Sequence, residues 1–430
     1  MISLRDIIIL LCIAVVSVIG AITIDSGSQS QNQQDIVGLF DDAILSFDSV
    51  NRISLTRSDE TFVFEQTDGA WLQTLPFEMS MDPSSMQSII QAAQGVRVLG
   101  QVEHANLQPL DIGNHNLIIF SDGTNEVEVQ LGRKTLGGRA YASVGGKPPV
   151  VIDHSLHRIA LDMDHKLWRD VRVFPNFAID GTQIERSVEG DRMLLIREGG
   201  RWHMREPVAS RVDQTVLTEW VGQIASSRVG SFISDSPNDL SLFGLQYPSA
   251  SFKVKDSGGQ VWNLLIGSRI SAGSQDRFVM IEQQPIVFAM NWNAIEQLFP
   301  RAEQLVDSTG SDASKYDVKR LTVRGNGLEI QFEKKLDQWI QLSEGAPIPT
   351  KTVDALIQWV LESKPISIAF GPYPRLQEIM TVTMDGYDLM PMDTVRIAKT
   401  EDGQFILENG DNVLRYHVPE SGTFLNNFLK

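Results

Sequence analysis

The densest run of side chains able to hold a cation or move a proton is DHSLHRIALDMDH, Asp153 to His165. It offers Asp153, His154, His157, Asp162, Asp164 and His165. His154 and His157 stand one helical turn apart, so their imidazoles could share a helix face and meet a cation that Asp164 or His165 also reached. The glutamate base of H-E-x-x-H is missing, however, and so is a distant third ligand. The ordinary reading of the stretch is an exposed, charged helix. Its counterpart later in the chain, NWNAIEQLFPRAEQ, contains no histidine.

Other chemistry-bearing patterns are incomplete. LGRKTLGGRAY, Leu131 to Tyr141, is glycine-rich but lacks the G-K-[ST] of a phosphate loop. No G-x-S-x-G elbow is present. Carboxylate pairs such as Asp41-Asp42 and Asp235/Asp239 are ordinary in an acidic chain. Trp71, Trp202 and Trp339 could form a row for stacking sugars, but each ends a buried-strand pattern, which points to core packing. The sequence therefore assigns no catalytic, cofactor-binding or metal-ligating residue and no cofactor. A metal- or glycan-binding enzyme or sensor built on His154, His157 and His165 stands as the alternative to a non-enzymatic protein.

The elements that carry these residues are written in triplicate. Trp71 and Trp202 are 131 residues apart, and Trp339 follows after another 137. Eighteen residues before each Trp stands an aliphatic: Ile53, Ile184, Leu321. At nine and seven before it come Phe62 and Phe64, Met193 and Leu195, Ile330 and Phe332, the alternation of a strand with one buried face. Eleven residues after each Trp comes a helix N-cap candidate, Asp82, Asp213 or Thr350. The helices that follow place Met86, Ile89, Ile90 and Ala93 in the pattern of Leu217, Trp220, Val221 and Ile224. In the third helix Val353, Ile357, Val360 and Leu361 do the same. A strand, Leu/Ile-Gly, loop, strand pattern then recurs around Gly132 and Gly267, with Ala398 at that place in the third copy.

Composition bounds the whole. The chain has 430 residues, 42% of them apolar, enough for several real cores. Its net charge of −17 argues against nucleic acid and against docking on anionic lipid. The single cysteine, Cys12, lies inside the uncharged run IIILLCIAVVSVIGAITI, Ile7 to Ile24, so disulfides and thiolate zinc sites are excluded beyond it. That run of eighteen residues is within the range of a membrane span, and Arg5 favours a cytoplasmic N-terminus. A cleaved signal peptide would have a shorter apolar core and a small-residue exit.

The expected organisation is α+β. An N-terminal transmembrane helix precedes three tandem repeats of an antiparallel sheet packed with helices. Residues 1–24 form a cytoplasmic stub and anchor, and 25–48 a polar tether and amphipathic segment. Repeats follow at 49–177, 178–310 and 311–430. The segment Ile36–Phe47 spaces Val37, Phe40, Ala43, Ile44 and Phe47 at three- and four-residue steps, which predicts an amphipathic helix beside the membrane, either packed on the first repeat or lying against a partner's transmembrane domain. The ectodomain is expected outside the bacterial cytoplasmic membrane, with binding sites sought first at the junctions between repeats.

The pattern W-x4-P-x5-D with its amphipathic helix, then Phe243-Gly244-Leu245, Pro248 and LLIGS (Leu264–Ser268), resembles an uncharacterised bacterial family known only as a domain of unknown function. The second repeat matches best. The first lacks Phe-Gly-Leu, and the third lacks the Pro and the Asp. The resemblance implies membrane-anchored proteins, often encoded beside gliding-type ABC export systems. It implies as partner an integral membrane complex such as ABC-type exporter subunits, and it implies no known reaction.

Overall fold

The computed structural model describes residues 37–429 except 42, 59, 103–107, 176, 337 and 372–376. The Ile7–Ile24 run and the tether behind it lie outside the described residues. Among the described residues, no helix is long and apolar enough to cross a membrane. The chain divides into two compact units, one ending at Asp170 and one beginning at Val171.

Alternating apolar side chains build the sheets, and the same register is used three times. Ile53 pairs with Phe64 on one side and Phe120 on the other. Ile184 does so with Leu195 and Val254, and Leu321 with Phe332 and Met384. All nine side chains are buried, so each trio is the centre of one core face. The first unit contains one nine-stranded antiparallel sheet; the second unit contains a nine-stranded and an eight-stranded sheet.

Each sheet is assembled in the same order. A meander comes first, then a helix, then a strand that crosses to the far edge; four further strands fill the space between that strand and the start of the meander. The third sheet lacks only the short strand before the helix. Trp71, Trp202 and Trp339 each occupy the second position of a strand, opposite Gln66, Arg197 and Lys334, and are 4–7% exposed. The three Trp positions are thus core positions of one repeated unit. In the first two repeats the Pro five residues on follows a cis peptide bond.

The principal helices are α1 (Pro83–Gln94), α2 (Gln214–Ser226) and α3 (Thr350–Glu362). Each lays its apolar stripe on its own sheet: Met86, Ile89, Ile90 and Ala93 are buried, as are their counterparts in α2 and α3. Asp82 accepts the Ser85 N–H at 2.9 Å, and Asp213 accepts those of Thr215 and Val216 at 2.9 and 3.1 Å. Helix α3 departs from the expected cap. Pro349, extended at ψ 141°, takes the N-cap position, and Thr350 is the first helical residue, its hydroxyl donating to the Trp339 carbonyl at 3.4 Å.

Two local expectations fail. Among the described residues of 37–47 there is no amphipathic helix: Gly38 bridges Arg97, and Leu39 N–H donates to the Val96 carbonyl at 3.0 Å. The three- and four-residue spacing serves turns instead, bringing the Phe40 and Phe47 rings to 4.9 Å over Phe120. The segment does pack on the first repeat, with Ile44 left 87% exposed. Nor is His154–Leu161 an exposed helix. One α-turn, Ser155–His157, runs into a wider π turn, Arg158–Asp162, and Leu156, His157 and Ala160 are buried.

Candidate functional site

The strand Val150–Asp153 delivers the histidine stretch to the end of the first sheet. There the imidazoles part company. His154 donates from Nδ1 to the Gly138 carbonyl at 2.9 Å. His157, fully buried, donates from Nε2 to the Gly132 carbonyl at 2.8 Å, and burial pushes its pKa below the usual imidazole range. His165 lies against the Phe62 ring at 4.3 Å, while Asp162 takes the Lys134 ammonium at 2.6 Å. Among the described residues, no three His, Cys, Asp or Glu side chains are grouped to hold a metal ion.

What His157 does becomes clear from Gly132. A Cβ there would fall 2.5 Å from the Leu110 carbonyl oxygen and 2.7 Å from Ile112. In the second repeat Gly267 is pressed the same way, its Cβ position 2.2 Å from the Phe243 oxygen and 3.1 Å from Leu245. Its carbonyl accepts Arg277 Nη1 at 3.1 Å, and that guanidinium lies 4.5 Å over the Trp292 ring. His157 and Arg277 are therefore two solutions to one task, holding the carbonyl of a glycine on which a turn is clamped. The turn itself is shared. Asp111 (φ 58°) and Gly244 (φ 68°) take the left-handed conformation at matching places, so Leu110-Asp111-Ile112 is the first repeat's form of Phe243-Gly244-Leu245.

In the second unit, a cleft of about 440 Å³ opens where the second sheet meets the segment leading to the third. Trp202, Arg211, Asp213, Asp307, Asp312 and Leu361 line it. Val306 bridges Val212, with Asp213 N–H donating to Leu305 O at 2.9 Å and Asp307 N–H to Arg211 O at 3.1 Å. Arg211 Nη1 stands 3.4 Å from both Asp307 and Asp312, and Nη2 donates to the Thr309 carbonyl at 3.3 Å. From the third sheet, fully buried Arg415 donates to the Asp307 carbonyl at 3.1 Å and pairs with Asp411 at 2.9 Å. Within the cleft the Arg211 guanidinium is thus set between the Asp307 and Asp312 carboxylates.

The geometry of the Trp202 strand, the Asp213 cap and the Gly267 clamp can now be set beside known proteins. Residues 202–364 match the family described as "Domain of unknown function (DUF4340)". A DUF4340 domain is present in this chain. Its segment opens on Trp202, contains α2, the Phe243-Gly244-Leu245 turn and the junction cleft, and ends just past α3. No curated protein matches the sequence. A solved structure described as "Ca2+-stabilized adhesin helps an Antarctic bacterium reach out and bind ice" aligns over 86% of this chain and 90% of its own at 7% identity. Its TM-score of 0.09 carries no argument about fold or function.

Sequence reasoning missed Arg277, Arg415 and the Asp111 turn. Gly132 and Gly267, already paired by the repeat, were the available clue, because a buried strand glycine marks close backbone approach.

Proposed function

We propose that the chain is a non-enzymatic, single-pass protein of the bacterial cytoplasmic membrane. Its extracytoplasmic repeats serve as an accessory or docking subunit of a membrane complex, and the family resemblance supplies an ABC-type exporter as that complex. The observation that carries the reading is the uncharged run Ile7–Ile24. Its eighteen residues, at ~1.5 Å each, give roughly 27 Å of helix, close to the hydrocarbon thickness. The polar side chains inside the DUF4340 segment and the first sheet support a scaffold over an enzyme. His157 beside the first sheet and Arg277 and Arg211 within the segment each hold backbone carbonyls, as does Arg415 of the third sheet.

The test is made on native membranes. After a carbonate wash the full-length chain should remain in the pellet, and after detergent extraction it should co-isolate with transporter subunits in fixed stoichiometry. A soluble periplasmic form beginning near Asp25 would reverse the topology. Stoichiometric metal retained at His154 and His157 would favour the enzyme or sensor reading instead.

A further inference from the structure

The three sheets share their turns as well as their strands, and at two of these turns the third repeat breaks the rule. The hairpin turn before the Trp strand is Asp68-Gly69 in the first repeat and Gly199-Gly200 in the second, all at positive φ. In the third, Leu336 holds φ 56° and is 96% exposed. The hairpin that follows the strand beside Ile53, Ile184 or Leu321 turns through Asp122–Asn125 and then Ser257–Gln260, with Gly123 and Gly259 at positive φ. The third repeat instead turns through Gly386-Tyr387-Asp388-Leu389-Met390, and Leu389 takes the positive φ, 62°. Tyr387, Leu389, Met390 and Met392 are 65%, 46%, 65% and 39% exposed. A leucine in the left-handed region is disfavoured where glycine is free, and an exposed leucine gains nothing from its own core. Both departures go the same way.

The two tips also share one end of the sheet. Strands Leu328–Lys335 and Gln377–Asp385 flank strand Arg320–Gly325, pairing at Arg320↔Glu333 and Arg320↔Asp385, so both run out beyond its first residue. Two strand spacings separate them, roughly 10 Å. Both tips close hairpins at the same end of the sheet, so one surface such as a lipid interface can meet them together. Lys319 Nζ lies 5.7 Å over the Tyr387 ring, and Lys335 beside Leu336 is exposed. The carboxylates of Asp388 and Asp393 accept the Met390 and Thr394 N–H groups at 3.0 and 2.7 Å. Lysines and carboxylates therefore rim the apolar tips together. That mixed rim complements a layer of zwitterionic headgroups, which offers phosphates and ammonium groups, and it does not complement an anionic one.

We propose that Leu336 and the Tyr387–Met392 hairpin form a membrane-contacting end of the third repeat, inserting into the interface of zwitterionic phospholipid. Tyrosine at headgroup level and leucine and methionine below it follow the usual order of interfacial side chains. The contact would hold the last repeat against the bilayer; the inference takes from the anchored reading only that a bilayer is within reach.

The test uses the full chain with Cys12→Ser, reconstituted with phosphatidylcholine vesicles. A nitroxide label is placed singly at L336C and M390C, and at T124C and Q260C in the corresponding turns of the other repeats. Collision with oxygen relative to a water-soluble nickel chelate should be at least threefold higher at 336 and 390 than at 124 and 260. Leu389→Asp with Met392→Asp should return position 390 to the control value, and replacing a third of the lipid by phosphatidylglycerol should lower it. Equal values at all four positions would overturn the proposal. So would labels that stay free in pure lipid yet become immobilised in native membranes, which identifies a protein contact. A carbonate wash of the same vesicles separates the two readings: loss of the chain counts against the anchor, whereas a retained chain with silent tips counts against this contact.

Discussion

One methyl group at residue 267 should be enough to unseat the second repeat's clamped turn. The Cβ of Gly267→Ala would sit 2.2 Å from the Phe243 carbonyl oxygen and 3.1 Å from the Phe278 oxygen, and both are backbone atoms that cannot rotate away. Relief requires the turn at Gly244 to move by about 1 Å, which drags Leu245 from its place against Met280 and Val287. It also lengthens the Arg277 bond to the Gly267 carbonyl. Overpacking of this kind costs about 1–3 kcal/mol, and the loosened hydrogen bond adds about 1 kcal/mol. The sum, roughly 2–4 kcal/mol, should lower the melting temperature by about 5–12 °C for a cooperative unit of this size. Circular dichroism would give the melting temperature, and hydrogen exchange should show the extra opening confined to 240–250 and 264–280. Ala398 supplies the control: it is fully buried at the corresponding place, so Ala398→Gly should destabilise as well, by about 1 kcal/mol. Unchanged melting of Gly267→Ala, or opening spread evenly over the chain, would refute the clamp.

Four further outcomes are expected. Trp202→Ala should cost about 3–5 kcal/mol in the second repeat, read by urea unfolding with local hydrogen exchange. Asp213→Ala should cost about 1 kcal/mol through its lost cap, whereas Thr350→Ala, outside the cap position, should cost clearly less in the same assay. Arg415→Met leaves Asp411 without its buried partner and should cost about 3 kcal/mol, appearing as earlier loss of protection in 305–312 and 411–416. His417, buried beside Trp359 and repelled by Arg415, has its pKa pushed down to about 4. The unfolded chain therefore binds the extra proton first. Stability should be full above about pH 6.5 and fall by up to roughly 3 kcal/mol as pH drops toward 4, and His417→Phe should flatten that slope in urea midpoints.

The Trp strand, the Pro turn and the capped helix were legible because each is written locally, in side-chain alternation, an N-cap oxygen and a helix stripe. The crossing of the post-helix strand to the far edge was not legible, since long-range pairing leaves no spacing in the sequence. The Leu110-Asp111-Ile112 turn was hidden by residue identity: what the fold requires there is a positive φ, which Asp supplies as well as Gly. Residues 37–47 misled because apolar steps of three and four suit successive turns over a core as readily as a helix. Of the candidate histidines, spacing along the chain said nothing about direction, and His157 turned inward to a glycine carbonyl.

In the first two repeats the segment that leaves the sheet is fastened beside the cap of that repeat's own helix: Met81 bridges Arg169, and Val212 bridges Val306. Each repeat thereby closes on itself before the chain moves on. The closure is not complete in the second repeat, because Arg415 of the third sheet also holds the Asp307 carbonyl and Val413 is buried in the second core. A cut after the first repeat's bridge would thus leave that repeat's exit segment tied down, whereas a cut after the second would strip a buried guanidinium and a core valine from it, so the two boundaries differ as places to divide the chain.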